Sequence, residues 1–381
     1  MNPTVRVLET VRDVPREAWD ALVADESPFL EWDWLAALEE GGTVGRETGW
    51  LAQHLTLWDG ARLLGACPLY VKAHSMGEFV FDQTWAAAAQ RAGIAYYPKL
   101  LVGVPFTPVT GMRFLARPDD AAMVRVALGG VLERLCEDHD FSSVHVNFCQ
   151  PDEAQVLETR GWLRRVGFQY QWRNEGFVTF EDYLSSLRSK RRNQARRERR
   201  ELDRQGVEIR TYAGDDIPSD AAPLVYQLYR STVDDNPWGQ RYLTRRFFEL
   251  VLERCRQRVC LVLAWQGGEV IAGTFNVQKG RVLYGRYWGA LRTLRHLHFN
   301  VCYYAAIEHC VAAGLARFEP GAGGEFKQLR GFDATPTVSM HWIRDPLFRA
   351  AVADYLERER AAVANEVAFQ QQKTSRKRDA D

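Results

Sequence analysis

Between Glu319 and Arg330 the chain reads EPGAGGEFKQLR, a compact polar segment in which ionisable side chains stand among glycines. Glycine lets backbone N–H groups approach a ligand closely. A carboxylate can take a proton from a nucleophile, and a fixed ammonium can stabilise a developing oxyanion or a leaving hydroxyl. Lys327 is therefore the leading catalytic candidate, with Glu319 and Glu325 as candidate general bases and Arg330 as a candidate substrate-binding group. The residues alone leave a plainer alternative open, a surface lysine beside a structural salt bridge. His341, in the alternating run TVSMHWI, can shuttle a proton near neutral pH or act as a hydrogen-bonded structural group.

Two further sets of residues suit ligand binding. Arg286 and Trp288, in LYGRYWGA, share one face of a strand and can grip an anionic or aromatic group, or simply pack. His74, Ser75, Glu78 and Asp82 gather around Gly77, and Lys99 stands between an aromatic pair and an apolar run; the set forms either an acceptor pocket or a loop anchor. The chain has no H-E-x-x-H or G-x-x-x-x-G-K-[ST] pattern, so neither a metal nor a nucleotide loop is expected. The seven cysteines are scattered without a C-x-x-C pair, which predicts free buried thiols in a reducing cytoplasm.

Charge is balanced overall, with 49 basic and 49 acidic residues, so no global field draws the protein to polyanions or membranes. Arg188 to Arg204 is the exception, with nine positive and three negative side chains. Arg191, Arg192, Arg196 and Arg197 are candidate phosphate contacts, the alternative being a solvated helix laced with weak Glu–Arg pairs.

The elements that must position these groups follow a repeated order. A hairpin around Asp59-Gly60, further strands, a helix over Ala121–Asp138 and the strand SSVHVNF make the first half. Three strand-like runs broken at Gly267-Gly268 and Lys279-Gly280, a helix over Phe299–Ala313 and the strand ARFEPG make the second. Thr179 to Gly206 reads as one helix capped by Thr179 or Glu181 and stopped by Gly206. The 381 residues suit two domains, 1–175 and 176–365, followed by a disordered tail over 366–381. No secretory signal and no spanning stretch is recognisable, so a soluble cytoplasmic protein is expected.

Several strings together resemble the Fem-like predicted N-acyltransferase family from about Ser27 to Glu359: HSMGEFVFDQTWA, YYPKLLVGVPFTPVTG, SLRSKRRNQARRERR, LYGRYWGA, the run from Leu297 to Phe332, and VSMHWI. The resemblance implies an α+β fold of two tandem GCN5-related acetyltransferase-like domains, each a mixed sheet flanked by helices. The chain is more distantly similar to the Fem aminoacyltransferases, in the basic helix of Leu184 to Ile209 and in Phe326-Lys327 followed by Gly331-Phe332. That likeness implies transfer of an amino acid from aminoacyl-tRNA to an amine of a small molecule or peptide, with no tightly bound cofactor. An acyl-CoA donor and a non-catalytic binder of cell-wall precursors are the alternatives. The chain departs from the family's pattern at Asn300, Pro320, Gly323 and Phe326, which implies a changed substrate or lost activity.

Overall fold

Short apolar runs between turn residues build strands here, and longer amphipathic runs build the helices that cover them. A computed structural model describes residues 3–25, 27–234 and 240–377. The chain divides into two compact units, Met1–Gly167 with Pro336–Asn365, and Phe168–Thr335 with Glu366–Asp381.

In the first unit, β1 (Thr4–Leu8), β3 (His54–Asp59), β4 (Arg62–Cys67) and β7 (Leu115–Ala116) form a four-stranded sheet, with α1 (Arg16–Val23) and α2 (Trp32–Glu40) between β1 and β3 in sequence. The strands β2 (Trp50–Ala52), β5 (Leu69–Lys72), β6 (Lys99–Val102) and β8 (Ser143–Cys149) form a second layer, β6 and β8 running parallel. Helix α3 (Gln83–Arg91) precedes β6, and α4 (Ala121–Asp138) and α5 (Pro151–Thr159) flank β8 in sequence. Leu55, Leu57, Leu100, Val102, Leu128, Val144 and Met340 meet in its core. The hairpin, the Ala121–Asp138 helix and the SSVHVNF strand stand where the sequence reading puts them.

The second unit takes the end of β9 (Leu163–Arg173), then α6 (Phe180–Ser186), α7 (Ser189–Arg204) and β10 (Val207–Ala213), followed by α8 (Ala221–Asp234) and α9 (Arg245–Arg254). Strands β11 (Val259–Gln266), β12 (Glu269–Lys279) and β13 (Val282–Ala290) extend β10 as an antiparallel meander. Helix α10 (Leu297–Phe299), a π-helical turn over Asn300–Tyr304 and α11 (Ala305–Ala312) lead to β14 (Arg317–Glu319), which pairs parallel with β13 and antiparallel with the end of β9.

Three expectations differ from the structure. The Thr179–Gly206 segment is two helices, because Leu187 turns extended and Arg188 gives its N–H to the Ser375 carbonyl at 2.9 Å. The chain returns to the first unit after Thr335, because β15 (Asp333–Ile343) pairs with β8 and α12 (Pro346–Gln372) packs Phe348, Val352 and Leu356 on Trp85 and Tyr96. The expected tail from 366 onward instead continues α12 to Gln372 and buries Arg376; its last residues, 378–381, lie outside the described ones. Among the described residues, no helix is long and apolar enough to cross a membrane.

Candidate active site

Strands β13 and β14 stay paired through Tyr284 and Glu319, then part, and a cleft of about 270 Å³ opens beyond that point. Parallel strands held side by side satisfy each other's backbone; where they separate, a ligand can take the partner's place. A bulge in β13 leaves Arg286 as the extra residue between Gly285 and Tyr287. Bulges re-aim side chains, and both Arg286 and Trp288 line the cleft. Gly289 is forced by its surroundings, since a Cβ there would meet the Leu228 carbonyl oxygen at 1.8 Å.

Lys327 lines the cleft from a 3-10 turn over Glu325–Arg330, which follows the glycine loop. Its side chain folds back so that Nζ donates to the carbonyls of Gly321 at 2.6 Å and Ala322 at 3.3 Å. Burial pushes its pKa down to about 8, against a smaller upward pull from Cys302. Glu319 ends β14 one residue before the cleft-lining Pro320 and pairs with Arg317 Nε at 3.0 Å. Burial raises its carboxyl, while the Arg317 and Arg286 guanidinium groups oppose the rise. A carboxyl so tuned is a better proton acceptor than an exposed one. The Glu325 side chain lies outside the described part of the structure.

Other predicted residues have different surroundings. Arg330 does not line the cleft; it is buried, donates from Nη2 to Glu198 Oε2 at 2.9 Å, and lies 3.6 Å over the Phe299 ring. His341 belongs to the first unit, where its Nδ1 stands 2.6 Å from His145 Nδ1 and Trp85 meets it edge-on. Burial and the neighbouring His145 hold it well below the usual histidine range. Glu78, Asp82 and Lys99 do come together, as a closed ionic cluster: Lys99 Nζ donates to Ser75, Glu78 and Asp82 at 2.8, 2.9 and 2.5 Å. His74 instead anchors a loop, donating from Nε2 to the Thr48 carbonyl and accepting at Nδ1 from the Met76 N–H.

On α7 the four arginines singled out are unequal. Arg196 pairs with Glu181, Arg191 with Gln194, and Arg192 with Ser189 and the Leu187 carbonyl. Arg197, with Arg188, Lys190 and Arg204, is exposed, and its side chain has no partner among the described residues. Sequence reasoning missed three groups. Glu198 was counted as one charge in a basic run, although its spacing from Ala195 and Leu202 marks the buried face of the helix. His298 lines the cleft, its pKa lowered by burial to about 4. Arg376 fell in the expected tail. Among the described residues, no group of three or more His, Cys, Asp or Glu could hold a metal ion.

A family model described as peptidoglycan biosynthesis/recognition, FemAB-like, matches residues 10–378. No curated protein matches the chain. Among solved structures, the chain is similar to FemX, at 12% identity with a TM-score of 0.55, over 92% of this chain and 99% of that one. It is also similar to L-PGS from Bacillus licheniformis, at 9% identity with a TM-score of 0.52, over 84% of this chain and 95% of that one. These likenesses are of fold. The chain belongs to the FemAB-like family and is an acyltransferase with the two acetyltransferase-like domains expected from its sequence.

Proposed function

We propose that this acyltransferase moves an aminoacyl group from aminoacyl-tRNA to an amine of a small molecule or peptide, a peptidoglycan precursor being the acceptor that the family description suggests. The amine attacks the ester carbonyl in the β13–β14 cleft, forming the C–N bond. Glu319 accepts the amine's proton, the Lys327 ammonium stabilises the tetrahedral oxyanion, and the C–O bond to the tRNA then breaks with proton return to the leaving 3′-hydroxyl. Arg286 and Trp288 hold the acyl end. One observation carries the reading: the Lys327 turn is bonded through Arg330 and Glu198 to α7, whose outer face presents Lys190, Arg197 and Arg204 to solvent, with Arg188 exposed just before its first turn.

A coenzyme donor is the second reading, and the turn after β13 argues against it. A pyrophosphate there needs free backbone N–H groups. The Leu291 and Arg292 N–H groups both engage the Ile271 carbonyl, at 2.7 and 3.3 Å, and the turn contains no glycine. Calorimetry tests the choice directly. Salt-sensitive binding of tRNA without measurable binding of acetyl-CoA or longer acyl-CoAs is expected; micromolar acyl-CoA binding that supports turnover without tRNA contradicts the proposal.

A further inference from the structure

The turn that carries Lys327 ends at Gly331, a left-handed residue with φ 76°. Both backbone groups of Gly331 are held by a remote part of the chain. Its N–H donates to Ser375 Oγ at 2.8 Å, and its carbonyl accepts from Arg376 Nε at 3.1 Å and Nη2 at 2.9 Å. Arg376 is only 7% exposed. Its remaining donors are also engaged: Nη2 reaches the Arg173 carbonyl at 3.3 Å, and Nη1 pairs with the Glu175 carboxylate.

The same short segment stitches the break between α6 and α7. Arg188 N–H donates to the Ser375 carbonyl at 2.9 Å, and Lys377 N–H donates to the Ser186 carbonyl at 2.9 Å. Just upstream, Gln328 of the Lys327 turn donates to the Gln370 carbonyl. A loop with several glycines has little conformational preference of its own. Here its end point is fixed from outside, by a planar guanidinium whose fork matches one carbonyl oxygen and one carboxylate at once.

We propose that Ser375 and Arg376 form a clasp that sets the geometry of the Lys327 turn, with Arg376 as its positioning residue. The inference rests on the proposed role of Lys327. Gly331 lies four residues beyond Lys327, and the Phe332 N–H donates back to the Lys327 carbonyl at 3.3 Å. Releasing Gly331 therefore loosens the C-terminal end of the turn that aims the ammonium, and an error of about 1 Å in such a group is enough to cost two orders of magnitude in rate. The groups facing the Lys327 side chain, Arg286 on β13 and His298 and Cys302 from the following helical segment, are untouched by changes at the clasp.

The test reads the geometry without any tRNA, donor or acceptor, so it stands or falls apart from the transfer reaction. Lys327 is acylated with acetic anhydride over a pH series, and its modified peptide is quantified by mass spectrometry on folded full-length protein. The wild type should show a midpoint near 8. Arg376→Ala should move it toward the ordinary lysine value, cutting the reactive fraction at pH 8 by roughly tenfold or more. Arg376→Lys, a point charge that cannot fork, should fall between, and Lys373→Ala should match the wild type. Ser375→Ala gives a smaller shift in the same direction and serves if Arg376→Ala does not fold. A folded Arg376→Ala or Ser375→Ala protein with the wild-type midpoint overturns the proposal.

Discussion

Glu198 Oε2 accepts hydrogen bonds from Arg330 Nη2 at 2.9 Å and from Tyr304 OH at 2.6 Å, so the inward face of the basic helix is bonded to the turn that holds Lys327. The pair is buried, with side-chain exposures of 2% and 1%. Removing one partner strands a buried charge, at a cost of about 3–5 kcal/mol. Glu198→Ala should lower the urea midpoint by that measure, and Glu198→Leu combined with Arg330→Met should recover much of the loss. A Glu198→Ala protein as stable as the wild type contradicts the coupling.

Along the same helix, reversing Arg191, Arg192, Arg196 and Arg197 to Glu should weaken tRNA binding and flatten its dependence on salt, by roughly 0.7–0.9 in log–log slope for each phosphate no longer neutralised. Arg197→Glu should act more strongly than Arg196→Glu, whose arginine is already paired with Glu181. Filter binding over a salt series checks both. Equal slopes in wild type and the fourfold variant remove α7 from the carrier site.

Gly289→Ala should destabilise the protein by about 3 kcal/mol and disturb the cleft, because the new methyl group would overlap backbone, which cannot swing away as a side chain can. Gly280→Ala, at an open turn with φ 54°, tests a strained backbone with free space around it and should cost less. Thermal unfolding of the two variants measures the difference, and equal losses refute the steric argument.

In the first unit, Lys72 is fully buried with Nζ 3.5 Å over the Trp50 ring, and burial pushes its pKa down to about 7. Lys99 adds to the depression, while Glu78 and Asp82 oppose it. The unfolded chain holds this proton more tightly, so the cost of burying the charge is complete below pH 7 and fades as pH rises toward 10.5. Lys72→Met should therefore be more stable than wild type at pH 6, by roughly 1–3 kcal/mol, with the advantage shrinking toward pH 10. A constant difference across that range sinks the assignment.

Much of the second unit was legible in its residues. Gly267-Gly268 and the Lys279-Gly280 break delimit β11, β12 and β13 because turns that need positive φ select glycine, and the structure has φ of 61°, 82° and 54° at these glycines. Lys327, Arg286 and Trp288 could be named because a cleft between strands is lined by consecutive residues of short segments. Arg330, His341 and the Lys99 cluster show the limit. A charged or titratable side chain has the same spelling whether it faces a ligand or a buried partner, and Glu198 and His145 are each far from their partners in sequence. Arg376 was hidden for the same reason: its neighbours look like a charged tail, and its guanidinium is held by Gly331, Arg173 and Glu175, all far away in sequence.

The most direct test of the account is single-turnover transfer from charged tRNA to a panel of amines, comparing wild type with Lys327→Ala at saturating protein. The ammonium form is the active one, so the wild-type rate should fall as pH rises through about 8, where burial has set the Lys327 pKa. Lys327→Ala should lose on the order of a hundredfold in the chemical step, with tRNA binding and folding intact. A variant that transfers at nearly the wild-type rate contradicts the account.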